Sequence, residues 1–151
     1  LQEEGSKIEY TYTSQGLLKT TKTGGNANTL ITLTYDEYGR KVSQDDPDLG
    51  LWTYTYNAFG ELISQKDAKN QSMTFVYDKL GRLISKTEPD GSGTKTSTWT
   101  YATVGATAGS VGKLLSESGG GVTKTYTYDS KGRQASVATT IGTKTFTTTN
   151  H

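Results

Sequence analysis

A repeat constrains this chain more than any other feature. Tyr56-Asn57-Ala58-Phe59-Gly60-Glu61-Leu62-Ile63 and Tyr77-Asp78-Lys79-Leu80-Gly81-Arg82-Leu83-Ile84 match almost position for position. Tyr35-Asp36-Glu37-Tyr38-Gly39-Arg40-Lys41-Val42 precedes them, Tyr128-Asp129-Ser130-Lys131-Gly132-Arg133 follows them, and Tyr12-Thr13-Ser14-Gln15-Gly16-Leu17-Leu18 is a weaker first copy. In all five the glycine stands four residues after the tyrosine. A sixth copy opens at Tyr101 and reaches its glycine only at Gly112, after a small-residue insert from Ala102 to Val111. From tyrosine to tyrosine the steps are 23, 21, 21, 24 and 27 residues, a period near 21 that tolerates insertions. A partial seventh copy begins at Lys144-Thr145-Phe146-Thr147, and the chain stops before its turn.

Each copy predicts a β-hairpin. Ahead of the turn the residues alternate, with Tyr54 and Tyr56, Phe75 and Tyr77, Trp99 and Tyr101, and Tyr126 and Tyr128 on one face, and Thr55, Val76, Thr100 and Thr127 on the other. Aromatic and β-branched residues suit a pleated, half-buried surface. Asp36, Asp78 and Asp129 are placed to accept hydrogen bonds from the turn backbone, and the glycine three residues later takes the positive φ that closes the hairpin. A second strand then begins at Leu62-Ile63, Leu83-Ile84 or Leu114-Leu115, and polar linkers such as Asp67-Ala68-Lys69-Asn70 and Glu88-Pro89-Asp90-Gly91 turn the chain into the next unit. Helix is expected nowhere. The expected fold is all-β, one array of antiparallel hairpins over residues 1–151, with turns near 12–16, 35–39, 56–60, 77–81, 101–112 and 128–132 and a partial repeat from 144. A lone hairpin is marginal in water, so stability should accumulate from neighbour to neighbour.

Only 31% of the 151 residues are hydrophobic, which favours a thin single-layer sheet over a thick two-sided core. The 16 basic and 15 acidic residues are interspersed and give a net charge of +1, so nothing calls for nucleic acid. No apolar run reaches the roughly 20 residues of a membrane span, and the opening Leu1-Gln2-Glu3-Glu4 lacks the pattern of a signal peptide. The absence of cysteine excludes disulfides and thiolate metal sites. Because the first residue is not Met and the sole methionine is Met73, the chain reads as an excerpt from something longer.

The recurring Y-D-x-x-G-R-L, complete in Tyr77-Asp78-Lys79-Leu80-Gly81-Arg82-Leu83, resembles the YD or Rhs repeat. The motif residues are Tyr35, Asp36, Gly39 and Arg40; Tyr56 and Gly60; Tyr77, Asp78, Gly81 and Arg82; Tyr101 and Gly112; and Tyr128, Asp129, Gly132 and Arg133. The longer Tyr101 copy resembles a variant common in bacterial members. In that family the repeats form a ribbon that spirals into a hollow shell, so the resemblance implies a curved sheet that is one segment of such a wall. Bacterial members include insecticidal toxin-complex B and C components and Rhs toxins, whose shells enclose a C-terminal toxin, while animal teneurins share the shell and act in adhesion. The resemblance implies a secreted or cell-surface protein whose partners are the remaining repeats and the enclosed cargo. Six or so hairpins are too few to close a container, so encapsulation would belong to the parent protein.

Some members cleave themselves through a pair of D-P-x-G motifs. Asp46-Pro47-Asp48-Leu49-Gly50 has one residue too many, and Glu88-Pro89-Asp90-Gly91 begins with Glu, so both read as turns and the chain is not expected to be an enzyme. Asp45-Asp46-Pro47-Asp48 reads as a solvated turn rather than a calcium loop. The only histidine, His151, offers no credible triad. Gly119-Gly120-Gly121 lacks the lysine and Ser/Thr of a phosphate loop and reads as a flexible hairpin connection. No cofactor or metal is expected. Arg40, Arg82 and Arg133 are expected to pair with aspartates of neighbouring turns. The aromatic rows leave one alternative function, adhesion or carbohydrate binding, and cut edges leave open self-association through the terminal strands.

Overall fold

The computed structural model describes residues 7–91, 93–107 and 109–150, and His151 lies outside them. The described residues form thirteen strands and one short 3-10 turn at Ala27–Thr29. The chain divides into two compact units, Leu1–Met73 and Thr74–His151. The first holds β1 (Ile8–Tyr12), β2 (Leu18–Thr23), β3 (Ile31–Tyr35), β4 (Lys41–Asp46), β5 (Gly50–Tyr56) and β6 (Leu62–Lys66), each paired antiparallel with the next. The second takes in most of β7 (Ser72–Tyr77), then β8 (Leu83–Asp90), β9 (Gly93–Tyr101), β10 (Leu114–Gly119), β11 (Val122–Tyr128), β12 (Gln134–Ile141) and β13 (Lys144–Thr149), again in chain order and antiparallel. The fold is all-β, and within each unit the sheet is open.

The pleat sorts the side chains. In β9, Lys95, Ser97, Trp99 and Tyr101 are half-buried while Thr94, Thr96, Thr98 and Thr100 are exposed. β7 repeats this with Met73, Phe75 and Tyr77 against Ser72, Thr74 and Val76. Register carries the sorting from strand to strand: Trp99 faces Glu117, which faces Lys124, whereas Thr98 faces Ser118, which faces Thr123. One face is therefore aromatic and charged, and the other is lined by hydroxyls. On the second, Thr11–Thr20, Thr34–Ser43, Thr87–Thr96, Thr127–Ser136 and Thr140–Thr145 pair hydroxyl to hydroxyl at 2.6 to 3.0 Å. Such cross-strand pairs stabilise by roughly 0.2–1 kcal/mol each. Among the described residues the only buried apolar side chain is Ala102, so cohesion comes from neighbouring strands and not from a second layer.

Every repeated hairpin also carries a β-bulge at one place. Thr34 faces Ser43, yet Tyr35 faces Lys41, so Val42 is the extra residue. The same slip leaves Lys19, Ile63, Ile84, Leu115 and Ala135 over in the other hairpins. A bulge explains how two apolar residues can follow one another in a strand that otherwise alternates. Leu62-Ile63, Leu83-Ile84 and Leu114-Leu115 each span this slip, with the second residue of the pair left over.

The linker expected at Glu88-Pro89-Asp90-Gly91 is corrected. Glu88 and Pro89 belong to β8, facing Lys95 and Thr94, and the turn begins only at Gly91. Pairing of β8 with β7 ends at Thr87, so no strand asks for an N–H on that side of Pro89, which has none to give. Gly119 ends β10, and Gly120 and Gly121, with φ of 60° and 78°, form the two-residue turn of the hairpin to β11 that the sequence predicts.

Candidate functional site

The repeated turn is where side-chain chemistry concentrates. At Asp36 one carboxylate oxygen accepts from the Tyr38 and Arg40 N–H groups at 3.0 and 2.9 Å, and the other takes Arg40 Nε at 2.6 Å. The backbone closes beneath it, with Asp36 N–H donating to the Arg40 carbonyl and Gly39 N–H to the Asp36 carbonyl. Gly39 has a φ of 77°, a value that L side chains adopt only at a cost. Asp78 with Leu80 and Arg82, and Asp129 with Lys131 and Arg133, repeat this geometry within 0.2 Å, around Gly81 and Gly132.

The arginines therefore bind the aspartate of their own turn, which corrects the expectation of pairing between turns. Two backbone N–H groups already orient the carboxylate, and one of them is Arg40's own, which keeps its side chain within reach of the other oxygen. What the neighbouring turn supplies is a carbonyl: Arg40 Nη1 donates to Asn57 O and Arg82 Nη1 to Gly112 O, both at 3.0 Å. The same guanidinium groups lie over the next tyrosine ring, Arg40 at 4.9 Å from the Tyr56 centre and Arg82 at 4.3 Å from that of Tyr101. Arg133 keeps its aspartate but its side chain is 75% exposed, against 26% and 25% for Arg40 and Arg82, which have forward neighbours.

Tyrosine hydroxyls brace in the other direction. Tyr35 donates to Leu18 O, Tyr56 to Lys41 O and Tyr128 to Leu114 O, at 2.7 to 2.8 Å. Tyr77 stands half-buried at the end of β7. The Tyr35–Arg40 turn thus holds itself with Asp36, reaches back with Tyr35 and reaches forward with Arg40.

Electrostatics follow the contacts. Asp78 is held below the ordinary carboxylate range chiefly by its hydrogen bond from Arg82, and Asp129 chiefly by the Arg133 N–H. For Asp36 partial desolvation pushes upward, but the Arg40 N–H and guanidinium outweigh it and the net shift is downward. On the aromatic face Glu117 is also lowered, first by Lys124 and then by Tyr126, whose hydroxyl donates to it at 2.8 Å. Desolvation, then this bond, pushes Tyr126 up to about 12.

Variant turns keep the backbone and change the side chains. Asn57 Oδ1 accepts from the Phe59 and Glu61 N–H groups at 3.0 Å, and its amide donates to Glu61 Oε2 at 2.6 Å around Gly60. Thr13 offers its hydroxyl to the Leu17 N–H at 3.1 Å. Asp67, expected in a plain linker, builds the same turn by accepting from Lys69 and Gln71, with Asn70 at φ 61° in the glycine position. Its D-x-x-N spacing was the available signal. In the long turn Ala102 closes onto Lys113 and Gly112 through the backbone, and Ser110 is buried with its hydroxyl on Thr107 O. Gly109 packs so tightly on the next turn that a Cβ there would overlap the Asp129 carbonyl oxygen.

Among the described residues no three acidic or histidine side chains converge to hold a metal ion, and no helix is long and apolar enough to cross a membrane. The arrangement does mechanical work: it fixes each turn and locks it to those beside it.

Residues 56–93 match the RHS repeat family. No curated relative matches the chain in sequence. Solved structures share its fold: the Photorhabdus luminescens Tc holotoxin pore at TM-score 0.73 and 19% identity, covering 97% of this chain and 8% of that one. TcdB2–TccC3 without its hypervariable C-terminal region follows at TM-score 0.69 and 20% identity, covering 97% and 9%. The chain spans under a tenth of the length of these similar chains.

Proposed function

We propose that this chain, which carries an RHS repeat at residues 56–93, is a stretch of wall in a larger secreted shell that encloses a C-terminal toxin or other cargo. The observation that carries this reading is the directional bracing of the turns. Arg40 and Arg82 reach forward to a carbonyl and a ring, and Tyr35, Tyr56 and Tyr128 reach back to a carbonyl, so these hairpins are completed in part by their neighbours. A device of that kind extends indefinitely, as a wall must, and stabilises little when short. The likeness to toxin-complex structures supports the same reading, as does the single-layer build, which spends few apolar residues per strand. On this proposal the repeats run as one array through both units, the partners are the flanking repeats and the cargo, and the role is structural rather than catalytic.

The test is to express the parent protein with and without residues 7–150 and to measure protease protection of its C-terminal region. Protection is expected to fall when the segment is removed, and unchanged protection rejects the proposal.

A further inference from the structure

The position after the turn glycine is not uniform: it is Leu17 in the first turn and Glu61 in the third, and at Leu17 it leaves a cleft with a defined chemistry. Wherever that position is cationic and has a forward neighbour among the described residues, the cation lies over the tyrosine that opens the next turn. Arg40 stands 4.9 Å from the Tyr56 ring centre, Arg82 4.3 Å from that of Tyr101 and Lys113 5.6 Å from that of Tyr128. Arg40 also donates to the carbonyl of the residue following its tyrosine, Asn57.

In the first turn the position is Leu17, and its forward neighbour is Tyr35. Tyr35 is held as its counterparts are, with its hydroxyl on Leu18 O. Among the described residues, however, no cation lies over its ring. Leu17 instead turns toward Gly39, where a Cβ would stand 3.5 Å from its Cδ1. An open cleft of about 710 Å³ results, lined by Tyr12, Gln15, Tyr35, Glu37, Tyr38 and Lys19 among others. Tyr12 and Tyr38 are 60% and 75% exposed, and Arg40 lies 5.0 Å from the Tyr38 ring centre, at the edge of the cleft. Among the described residues the Asp36 carbonyl, equivalent to that of Asn57, accepts only the Gly39 N–H and keeps a second lone pair for another donor.

We propose that this cleft receives the guanidinium of an arginine side chain from a partner polypeptide. The incoming group takes the place that Arg40 fills over Tyr56, stacked on Tyr35 and donating to Asp36 O as Arg40 donates to Asn57 O, with Glu37 supplying the opposing charge. A planar, multiply donating cation suits a ring face beside a carbonyl better than a compact ammonium. The exposed Lys19 ammonium at the cleft wall lies over no ring and leaves Tyr35 uncovered. Tyrosines near a carboxylate also suit sugars, but within this chain the equivalent position is already filled by a guanidinium, on the same acceptor, in the Arg40 brace.

The probe is N-acetyl-arginine methylamide, titrated into isotopically labelled protein while the Tyr35 ring and Gly39 amide resonances are followed by nuclear magnetic resonance. Free arginine, N-acetyl-lysine methylamide and maltose form parallel arms. Saturable shifts at both reporters are expected with the blocked arginine, and weaker ones with the lysine analogue. Leu17→Arg should supply the guanidinium from within the chain and weaken binding by roughly tenfold or more. Glu37→Gln, at an exposed turn position, should weaken it by about threefold and decides the matter if Leu17→Arg does not fold. The proposal is overturned if the arginine arm gives no saturable shift, if maltose or the lysine analogue binds as tightly, if free arginine alone binds, or if both variants leave binding unchanged.

Discussion

At Asp36 the side chain is an anion that takes the Arg40 guanidinium at 2.6 Å, whereas at Asn57 it is an amide that gives a hydrogen to the Glu61 carboxylate at the same 2.6 Å. Beneath these opposite polarities the backbones agree: each side-chain oxygen accepts two N–H groups from its turn, and each glycine N–H returns to the carbonyl of the first turn residue. The turn therefore demands one oxygen acceptor and a residue that takes positive φ, while in these two turns the residue after the glycine complements the acceptor's other atom. What differs is reach. Arg40 continues to Asn57 O and the Tyr56 ring, and a carboxylate at Glu61 has no hydrogen to offer a neighbouring carbonyl.

Acid should separate the two kinds of turn most widely. Asp36, Asp78 and Asp129 are all held below their ordinary range in the folded state. Their contribution is complete above the unfolded value of about 3.9 and is lost as pH falls through the lower native values. Asn57 has no carboxylate to protonate there. Amide hydrogen exchange of Gly39, Gly81 and Gly132 should lose protection as pH drops below about 4, while Gly60 keeps more of its own. Equal loss at all four would show that the aspartates do not distinguish these turns.

Next in size is Asn57→Asp, which places a second carboxylate against Glu61. The turn keeps its acceptor but loses the amide donor and gains like charge at contact distance, so a cost of about 1 to 2 kcal/mol in chemical denaturation is expected. A variant as stable as the natural chain would mean that Glu61 turns to solvent freely and that the 2.6 Å contact does not complete the turn.

How much of this was legible in the sequence depends on distance along the chain. Contacts spanning four residues, such as Asp36 to its turn N–H groups and Gly39 to its positive φ, follow from residue type and spacing alone. Alternation likewise predicts the aromatic and hydroxyl faces, because the pleat has a period of two. The bulge was announced by Leu62-Ile63 and its equivalents, pairs that break alternation, but only the register shows which residue is left over. Braces such as Arg40 to Asn57 O lie 17 residues apart and need the strand spacing before they can be named. An arginine beside an aspartate in sequence, with aspartates also recurring one period away, leaves two candidate partners, and geometry rather than composition chose the near one. Asp67 shows the converse, a turn written plainly as D-x-x-N but hidden because asparagine stood where the other copies have glycine.

The smallest effect is the most discriminating. If acceptor and complement are chosen as a pair, Asn57→Asp and Glu61→Arg should each be harmful alone, while together they rebuild the chemistry of Asp36 and Arg40. The first leaves two carboxylates in contact, and the second leaves a guanidinium facing an amide N–H that it cannot satisfy. Combined, carboxylate and guanidinium meet across the four-residue separation at which Asp36 and Arg40 meet. A double-mutant cycle by chemical denaturation should give a favourable coupling of about 0.5 to 1 kcal/mol, modest because the pair is partly solvated. Additive costs would mean that residue 61 is tuned to something other than residue 57, and the polarity reversal between the two turns would then have no physical meaning of its own.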